Sequence, residues 1–193
     1  MIEKTRKTKE TDITLKLNPQ GQQKIEIDTG HKFFDHMLEQ LCFHSGFDCH
    51  LSAKGDLAVD DHHMVEDVAL CLGSALRDYW QAQTRIARYG QVLLPMDDVL
   101  VMGALDICGR PFFNLAWQTT RESVGGLALE MVPHFFQSFS IAGSWTLHLR
   151  QMSGSNHHHL VEACFKTTGR LLRQALAPSD QAASTKGGLW ASQ

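Results

Sequence analysis

The stretch HHMVE at His62–Glu66 returns 96 positions later as HHLVE at His158–Glu162. Each copy stands at the start of an apolar pattern of helical period, after a strand-like alternation and a turn signal. A further histidine lies upstream of each copy, in Phe34–His36 and in Pro133–Phe135, and these two histidines are 98 positions apart. Because a duplication repeats motifs as well as elements, the offsets predict a chain made of two similar halves.

The elements predicted around the motifs follow the same order in both halves. For the first half we predict a β-hairpin of residues 13–17 and 25–27 around the turn 18–21, a helix over 32–43, a strand over 47–53, and a helix over 62–81 capped by Asp60 and Asp61. For the second half we predict strands over 98–108 and 111–118, a helix over 132–140, a strand over 145–152, and a helix over 157–177 ended by Pro178.

The composition limits the class of protein. The 193 residues include 18 Lys and Arg against 21 Asp and Glu, a formal net charge of −3, and 43% are hydrophobic. This balance is typical of one soluble globular domain and lacks the basic footprint of a nucleic-acid-binding protein. The polar start and the absence of an apolar run of about 18 residues predict neither a signal peptide nor a membrane span. Five cysteines without a C-x-x-C pair predict a reducing, cytoplasmic location.

The repeated motif has the residue types and the spacing of a metal site. Its first histidine and its glutamate lie within roughly 40° of each other around a helix, so each pair can hold one ion. The second histidine, His63 or His159, points about 100° away, which favours two related sites. Imidazole and carboxylate ligands suit Mn, Fe, Co or Zn, and the sequence does not select among them. A single histidine is more often a helix cap or a surface residue, and we predict that role for His44, His50 and His148, which have no duplicated partner.

Three cationic residues are candidates for binding a phosphate group. Arg88 and Arg110 lie in turns bounded by glycine, where a guanidinium can present parallel N–H donors to a phosphate. Lys186 lies in Ser184–Gly188, which combines hydroxyl, ammonium and backbone N–H donors without the spacing of a P-loop. Each is by itself more typical of a solvated charge, and the phosphate interpretation gains support from the histidine motifs.

A set of short motifs between about residue 6 and residue 189 is specific when taken together. They are Thr29–Leu38, Gly55–Asp56, Asp60–Asp67, Pro95–Asp97, Gly109–Pro111, Glu130–Met131, His134–Phe136, Thr146–His148, Asn156–His159 with Glu162, Phe165–Lys166 and Ser184–Gly187. In combination they resemble the imidazoleglycerol-phosphate dehydratase family of histidine biosynthesis. No phosphatase region precedes them, so the monofunctional form is expected.

The resemblance implies the architecture. The expected fold is α/β of the α+β type, an internal duplication in which each half is a four-stranded sheet packed against helices, as in ribosomal protein S5 domain 2-like folds. A single domain over 1–193 would comprise repeats of about 6–90 and 91–178 and a C-terminal substrate-binding tail. The resemblance also implies a homo-oligomer of 24 subunits with two Mn²⁺ ions per active site, other divalent metals being possible.

Motif matching to the family also assigns roles to individual residues. One metal would be held by His36, His63, His158 and Glu162, and the other by His62, Glu66, His134 and His159. The substrate-binding residues would be Glu10, His36, His62, Glu66, Arg88, Arg110, His158, Ser184 and Lys186. Glu10 and Glu162 are the two candidates for the catalytic carboxylate that handles the proton, and the choice between them stays open.

The implied reaction converts D-erythro-imidazoleglycerol phosphate to imidazole acetol phosphate by loss of water. Metal ions on the ring nitrogens would favour an imidazolate, whose electrons expel the neighbouring hydroxyl before a carboxylate takes the proton. Two other classes remain as alternatives, a His-rich protein that stores or carries metal and a metal-dependent hydrolase. Storage does not require the cationic residues to converge, and the hydrolase would need an H-E-x-x-H motif or a nucleophile elbow that the sequence lacks.

Overall fold

The computed structural model describes residues 1–182 of the chain. Its helices are α1 (Lys32–Ser45), α2 (His62–Gln81), α3 (Met131–Gly143) and α4 (His157–Ala175). Its strands are β1 (Ile2–Lys7), β2 (Thr11–Asn18), β3 (Ile25–Asp28), β4 (Asp48–Gly55), β5 (Tyr89–Met96), β6 (Val99–Asp106), β7 (Phe112–Ala116), β8 (Ser123–Val124), β9 (Leu127–Ala128) and β10 (Thr146–Ser153).

Two four-stranded sheets of identical topology confirm the predicted duplication. The first has the order β1-β2-β4-β3 and the second the order β5-β6-β10-β7. In both sheets the first three strands are antiparallel neighbours and the last pair is parallel. Helices α1 and α2 cover the first sheet, α3 and α4 cover the second, and the two helical layers pack against each other. The buried apolar side chains of both halves therefore form one core between the sheets.

The predicted hairpin of residues 13–17 and 25–27 is wrong. Strand β2 pairs with β1 and β4, whereas β3 runs parallel to β4 at the edge of the sheet. The Asp48 carboxylate, at the start of β4, accepts hydrogen bonds from the backbone N–H groups of Gln22 and Lys24 at 2.7 and 2.9 Å. These bonds hold the connection from β2 to β3 across the end of β4. The turn predicted at 18–21 is therefore the start of a connection that passes over β4, and it does not close a hairpin.

The sequence reading also missed the edge strands β1 and β5. Strand β1 alternates between half-buried and exposed positions and contains no fully buried residue, so its apolar signal is weak. Strand β5 contains Pro95, which the edge of a sheet tolerates because one side of the strand needs no ladder hydrogen bonds. Both strands occupy the same edge position in their sheets. The sequence analysis therefore predicted three strands for each sheet, where the structure has four.

The four predicted helices are confirmed with ends displaced by a few residues. Gly46 caps the C-terminus of α1, and its φ of 80° places it in the left-handed region that glycine adopts without strain. Helix α3 begins one residue earlier than predicted and continues to Gly143, and α4 ends at Ala175. No helix among residues 1–182 combines the length and the apolar character that a membrane crossing needs.

The starts of α2 and α4 are fixed in different ways. Asn156 caps α4, since its side-chain oxygen accepts the backbone N–H of His159 at 3.2 Å. Asp61 is the N-cap residue of α2, but its carboxylate accepts the backbone N–H of Ala128 at 2.8 Å and makes no capping bond. The neighbouring Asp60 carboxylate accepts a backbone N–H two residues ahead at 3.3 Å. The prediction that both aspartates cap α2 is therefore wrong for Asp61.

Two glycines allow helices from different halves to pack closely. Helix α2 packs against α3, and α4 packs against α1, so each pair joins one helix from each half. A Cβ atom at Gly73 of α2 would lie 2.6 Å from the backbone oxygen of Phe139, and one at Gly169 of α4 would overlap the backbone oxygen of Leu41. The two glycines are 96 positions apart, the offset of the HHxxE motifs. The contact between α2 and α3 and the contact between α4 and α1 are therefore equivalent.

Candidate metal centres

The first site is the Glu162 cluster, formed by His36 of α1 with His158 and Glu162 of α4. Oε2 of Glu162 lies 3.1 Å from Nε2 of His158 and 3.4 Å from Nε2 of His36. The two histidines are partly exposed, whereas only 7% of the Glu162 side chain is exposed. One ligand atom from each residue lies within 4.8 Å of the other two.

The second site is the Glu66 cluster, formed by His62 and Glu66 of α2 with His134 of α3. Oε2 of Glu66 lies 3.4 Å from Nε2 of His62 and 3.5 Å from Nε2 of His134. The two imidazole rings lie 4.5 Å apart between centroids. Nε2 of His134 is buried and makes no hydrogen bond, although it faces the carboxylate. A buried ring nitrogen with this orientation is the arrangement expected of a metal ligand.

The spacing within both clusters fits a bound metal ion. Two ligand atoms that each lie about 2.1 Å from one ion in tetrahedral geometry are separated by roughly 3.4 Å. The separations from the glutamate oxygen to the histidine nitrogens, between 3.1 and 3.5 Å, match this value. Each cluster takes its upstream histidine from one half of the chain and its HHxxE pair from the other.

The second histidines of the motifs lie outside both clusters. Nδ1 of His63 lies 3.1 Å from Asp56, and the hydrogen bond to this carboxylate raises the pKa of His63. Nδ1 of His159 lies 2.8 Å from Asp98. Among residues 1–182, three residues make up each cluster, and neither second histidine belongs to one. Their assignment as fourth ligands stays a prediction.

Asp98 also fixes the segment that leads into α4. Its carboxylate accepts the backbone N–H groups of Ser155 and Asn156 at 2.7 and 3.1 Å. These bonds, together with the His159 contact, hold the pKa of Asp98 well below its ordinary value. Asp56 and Asp98 are thus acidic partners of equivalent histidines, which the sequence analysis did not identify. Asp56 lies six residues before its motif, whereas Asp98 lies 60 residues before His158, so only Asp56 had a local sequence signal.

A small hairpin connects the surroundings of the two clusters. Strands β8 and β9 pair around two glycines, and Gly125 packs closely against the side chain of Phe33. The Phe33 ring in turn contacts the His158 ring edge-on, with centroids 5.4 Å apart. At the other end of the hairpin, Ala128 donates to Asp61, which precedes α2. The hairpin therefore touches residues next to both clusters, and the sequence analysis missed it because each strand has only two residues.

The predicted phosphate-binding arginines lie far from the Glu162 cluster within this chain. Arg88 donates its backbone N–H to the carbonyl of Ala175, the last residue of α4, and its Nε to Asp106 at 2.7 Å. Arg110 lies exposed in the turn between β6 and β7, at the same end of the second sheet. Because α4 has 19 residues, this end is roughly 27 Å from the end that carries His158.

The other predicted substrate residues are placed as follows. Glu10 lies exposed in the turn between β1 and β2, and its charge contributes to the raised pKa of His63. The backbone oxygen of Glu10 approaches Gly55 at the end of β4, close to Met64 of α2. Ser184 and Lys186 lie outside the described residues.

Lys166 is a neighbour of the Glu162 cluster to which the sequence analysis assigned no role. Its Nζ lies 2.7 Å from Oε1 of Glu162, one helical turn away on α4. Burial alone would raise the pKa of Glu162, but the hydrogen bond and charge of Lys166, with a smaller contribution from His36, lower it below its ordinary value. A comparison of the two repeats would have revealed the difference, because the equivalent residue in the first half is Leu70.

The fold and the two clusters define a class of duplicated α/β protein with paired carboxylate–histidine ligand sets. The model of the family described as imidazoleglycerol-phosphate dehydratase matches residues 29–172. The chain belongs to the imidazoleglycerol-phosphate dehydratase family.

Individual relatives agree with this assignment. The imidazoleglycerol-phosphate dehydratase of Lachnoclostridium phytofermentans is 46% identical over 186 residues, which cover 95% of each chain. The histidine biosynthesis bifunctional protein HisB of Legionella pneumophila is 51% identical over 183 residues, and the chain spans about half the length of this relative. The crystal structure of the Pyrococcus furiosus family member superposes with a TM-score of 0.84 at 37% identity, covering 95% of this chain and 99% of the other.

Proposed function

We propose that this chain is a metal-dependent hydro-lyase that converts D-erythro-imidazoleglycerol phosphate to imidazole acetol phosphate in L-histidine biosynthesis. The observation that carries the proposal is the pair of clusters, each with two imidazoles and one carboxylate at metal-ligand spacing, in a member of this family. Five free, buried cysteines support activity in the reducing cytoplasm.

The residues of the two clusters would hold two divalent ions, for which we propose Mn²⁺. When bound, these ions supply Lewis acidity at the nitrogen atoms of the substrate imidazole. Glu10 or Glu162 takes the proton from the carbon chain, and a carboxylate is suited to this task when held close to the C–H bond. Arg88 and Arg110, with Ser184 and Lys186, bind the phosphate group.

The positions of these groups support a site shared between subunits of a homo-oligomer, which we propose to have 24 subunits. The arginines and the Glu162 cluster lie at opposite ends of α4, much farther apart than the ends of a three-carbon substrate with its ring and phosphate. His63 and His159 contact Asp56 and Asp98 rather than the clusters of their own chain, and both are partly exposed. In an oligomer these histidines complete the clusters of a neighbouring copy, as the family assignment of four ligands per ion requires.

A direct assay tests the proposed reaction. The purified protein with Mn²⁺ and imidazoleglycerol phosphate should form the enolisable ketone, chelation should abolish turnover, and Mn²⁺ should restore it. Metal binding without turnover would favour the storage alternative. Full turnover by metal-free protein would contradict the proposed metal dependence of the reaction.

Sedimentation tests the shared site. A His62→Ala/His158→Ala double variant, or chelated wild-type protein, should sediment as a much smaller oligomer, because ions that link subunits stabilise the assembly by mass action. Addition of Mn²⁺ should rebuild the large particle only for the wild-type chain. A particle of unchanged size in the chelated variant would show that apolar contacts alone hold the subunits together.

A further inference from the structure

The two oxygens of the Glu162 carboxylate have different partners. Oε1 lies 2.7 Å from Nζ of Lys166, and Oε2 faces Nε2 of His158 and of His36. Lys166 is itself mostly buried, with 21% of its side chain exposed, and its Nζ also lies 3.9 Å from the sulfur of Met96. The ammonium group is therefore held against one oxygen, and only the other faces the imidazoles.

The equivalent carboxylate in the first half lacks this constraint. The offset of 96 that relates the motifs places Leu70 at the position of Lys166. Among residues 1–182, both ion pairs of Glu66 are made by its Oε2, with His62 and His134. The Glu66 side chain is also more exposed, 37% against 7% for Glu162.

We propose that Lys166 is a positioning residue that makes the two metal centres unequal. The proposal rests on the proposed function, since it concerns the same two clusters. Lys166 leaves Glu162 one oxygen for an ion and adds a positive charge beside it, whereas Glu66 offers two oxygens and has no such charge at the equivalent position. Both effects weaken cation binding at the Glu162 cluster relative to the Glu66 cluster. The Glu162 cluster is therefore the centre that fills second and loses its ion first.

Two single-centre variants allow the affinities to be measured separately. Glu66→Gln leaves the Glu162 cluster intact, and Glu162→Gln leaves the Glu66 cluster intact. Calorimetric titration of the chelated proteins with Mn²⁺ should give a Kd about 10-fold weaker for the Glu162 cluster. This size corresponds to one unit charge roughly 5 to 6 Å from a divalent ion with screening close to that of bulk water.

Substitution of Lys166 then tests its role. In the Glu66→Gln background, Lys166→Leu should tighten Mn²⁺ binding about 10-fold, because it removes the charge and releases Oε1. Lys166→Arg keeps the charge and the donor and should retain the weaker binding. In the reciprocal experiment, Leu70→Lys in the Glu162→Gln background should weaken the Glu66 cluster.

The outcomes separate this inference from the proposed function. Equal Mn²⁺ affinity of the Leu and Arg variants at position 166 would overturn the inference, even if the enzyme is an active dehydratase. Equal affinity of the two clusters in otherwise wild-type protein would also overturn it. Absence of Mn²⁺ binding in the wild-type chain would instead overturn the metal dependence proposed above. In the wild-type background the Glu66 cluster reports on correct folding, because its affinity should not change with Lys166→Leu.

Discussion

The Glu66 and Glu162 clusters are built from the same repeated motif but lie in different surroundings. Each joins an HHxxE helix from one half to an upstream histidine from the other half. The Glu162 carboxylate is buried and bound by Lys166, whereas the Glu66 carboxylate is half exposed and is followed by Leu70 one turn later. The comparison teaches that the duplication determines which residue types form a centre, while the neighbour of each carboxylate determines how that carboxylate is held.

The largest effect should come from neutralising the two carboxylates. Glu162→Gln should lower kcat by roughly 10²–10⁴-fold and remove one ion per chain, since the residue is both a candidate proton acceptor and a member of a cluster. Glu66→Gln should remove the other ion. Metal analysis and steady-state kinetics of both variants measure the difference. If each variant kept two ions, the clusters would not be the metal centres.

Glu10 provides the control for the proton-transfer step, because it lies outside both clusters. If Glu10 is the base, Glu10→Gln should lower kcat within the same range while the metal content stays at the wild-type value. If kcat is unchanged in this variant, the proton is handled by Glu162.

A smaller effect is expected at the opposite end of the second sheet. Arg110→Ala should weaken substrate binding by about 1.5–3 kcal/mol, a rise in KM of roughly 10- to 150-fold, because it removes the proposed charge-assisted contact with the phosphate. Neither cluster contains Arg110, so both ions should be retained. A metal profile like that of Glu162→Gln would contradict the separation of phosphate binding from metal binding.

The close packing of the helix pairs can be tested with one added methyl group in each pair. Gly73→Ala and Gly169→Ala should each lower the free energy of unfolding by about 1–3 kcal/mol, because the new Cβ meets backbone atoms of the partner helix. Denaturant titration of the chelated protein gives this value. Gly109→Ala is a useful contrast, since its Cβ would have no neighbour within 4 Å and any loss there reflects only the positive φ. Equal losses at all three glycines would argue against helix contact as the cause.

The smallest effect concerns the protonation of His63. Because Asp56 raises the pKa of His63, the pair favours the folded state below the ordinary pKa of histidine, and this contribution is lost as the pH rises through the raised value. In metal-free protein, Asp56→Asn should lower the His63 pKa toward its ordinary value, as followed by NMR titration of the imidazole protons. Asp98→Asn should leave His63 unaffected. An unchanged His63 titration in Asp56→Asn would show that this contact does not persist in solution.

The sequence predicted those parts of the site that depend on helix geometry alone. His62 and Glu66 are one helical turn apart, so their shared face follows from the residue spacing, and the repeat identified His36 and His134 as further members. Residue spacing does not show that each upstream histidine joins the motif of the other half. Only the resemblance to the family predicted this pairing. The structure supplies its physical basis, which is the packing of α2 on α3 and of α4 on α1.

Other features could not be predicted because they depend on contacts between distant segments. The order of the strands depends on the binding of the 19–24 connection by Asp48, which a local turn signal does not contain. Gly73 and Gly169 look like ordinary helix glycines until the partner helix is known. The spacing of the motif does not determine whether His63 contacts a metal ion or a carboxylate, and in the structure it contacts Asp56.

Each helix of one half that carries an HHxxE motif packs against a helix of the other half, and this arrangement bears on the symmetry of the chain. One half contributes His36 to one cluster and His62 with Glu66 to the other, so a single half would complete neither. Two identical halves related by a two-fold axis would complete two identical clusters, as in a homodimer. The chain thus has the architecture of a homodimer joined into one polypeptide. Identical subunits must carry the same residue at positions 70 and 166, whereas a fused pair can keep Leu at one and acquire Lys at the other. A fused pair therefore permits a difference between the two clusters that a symmetric homodimer does not.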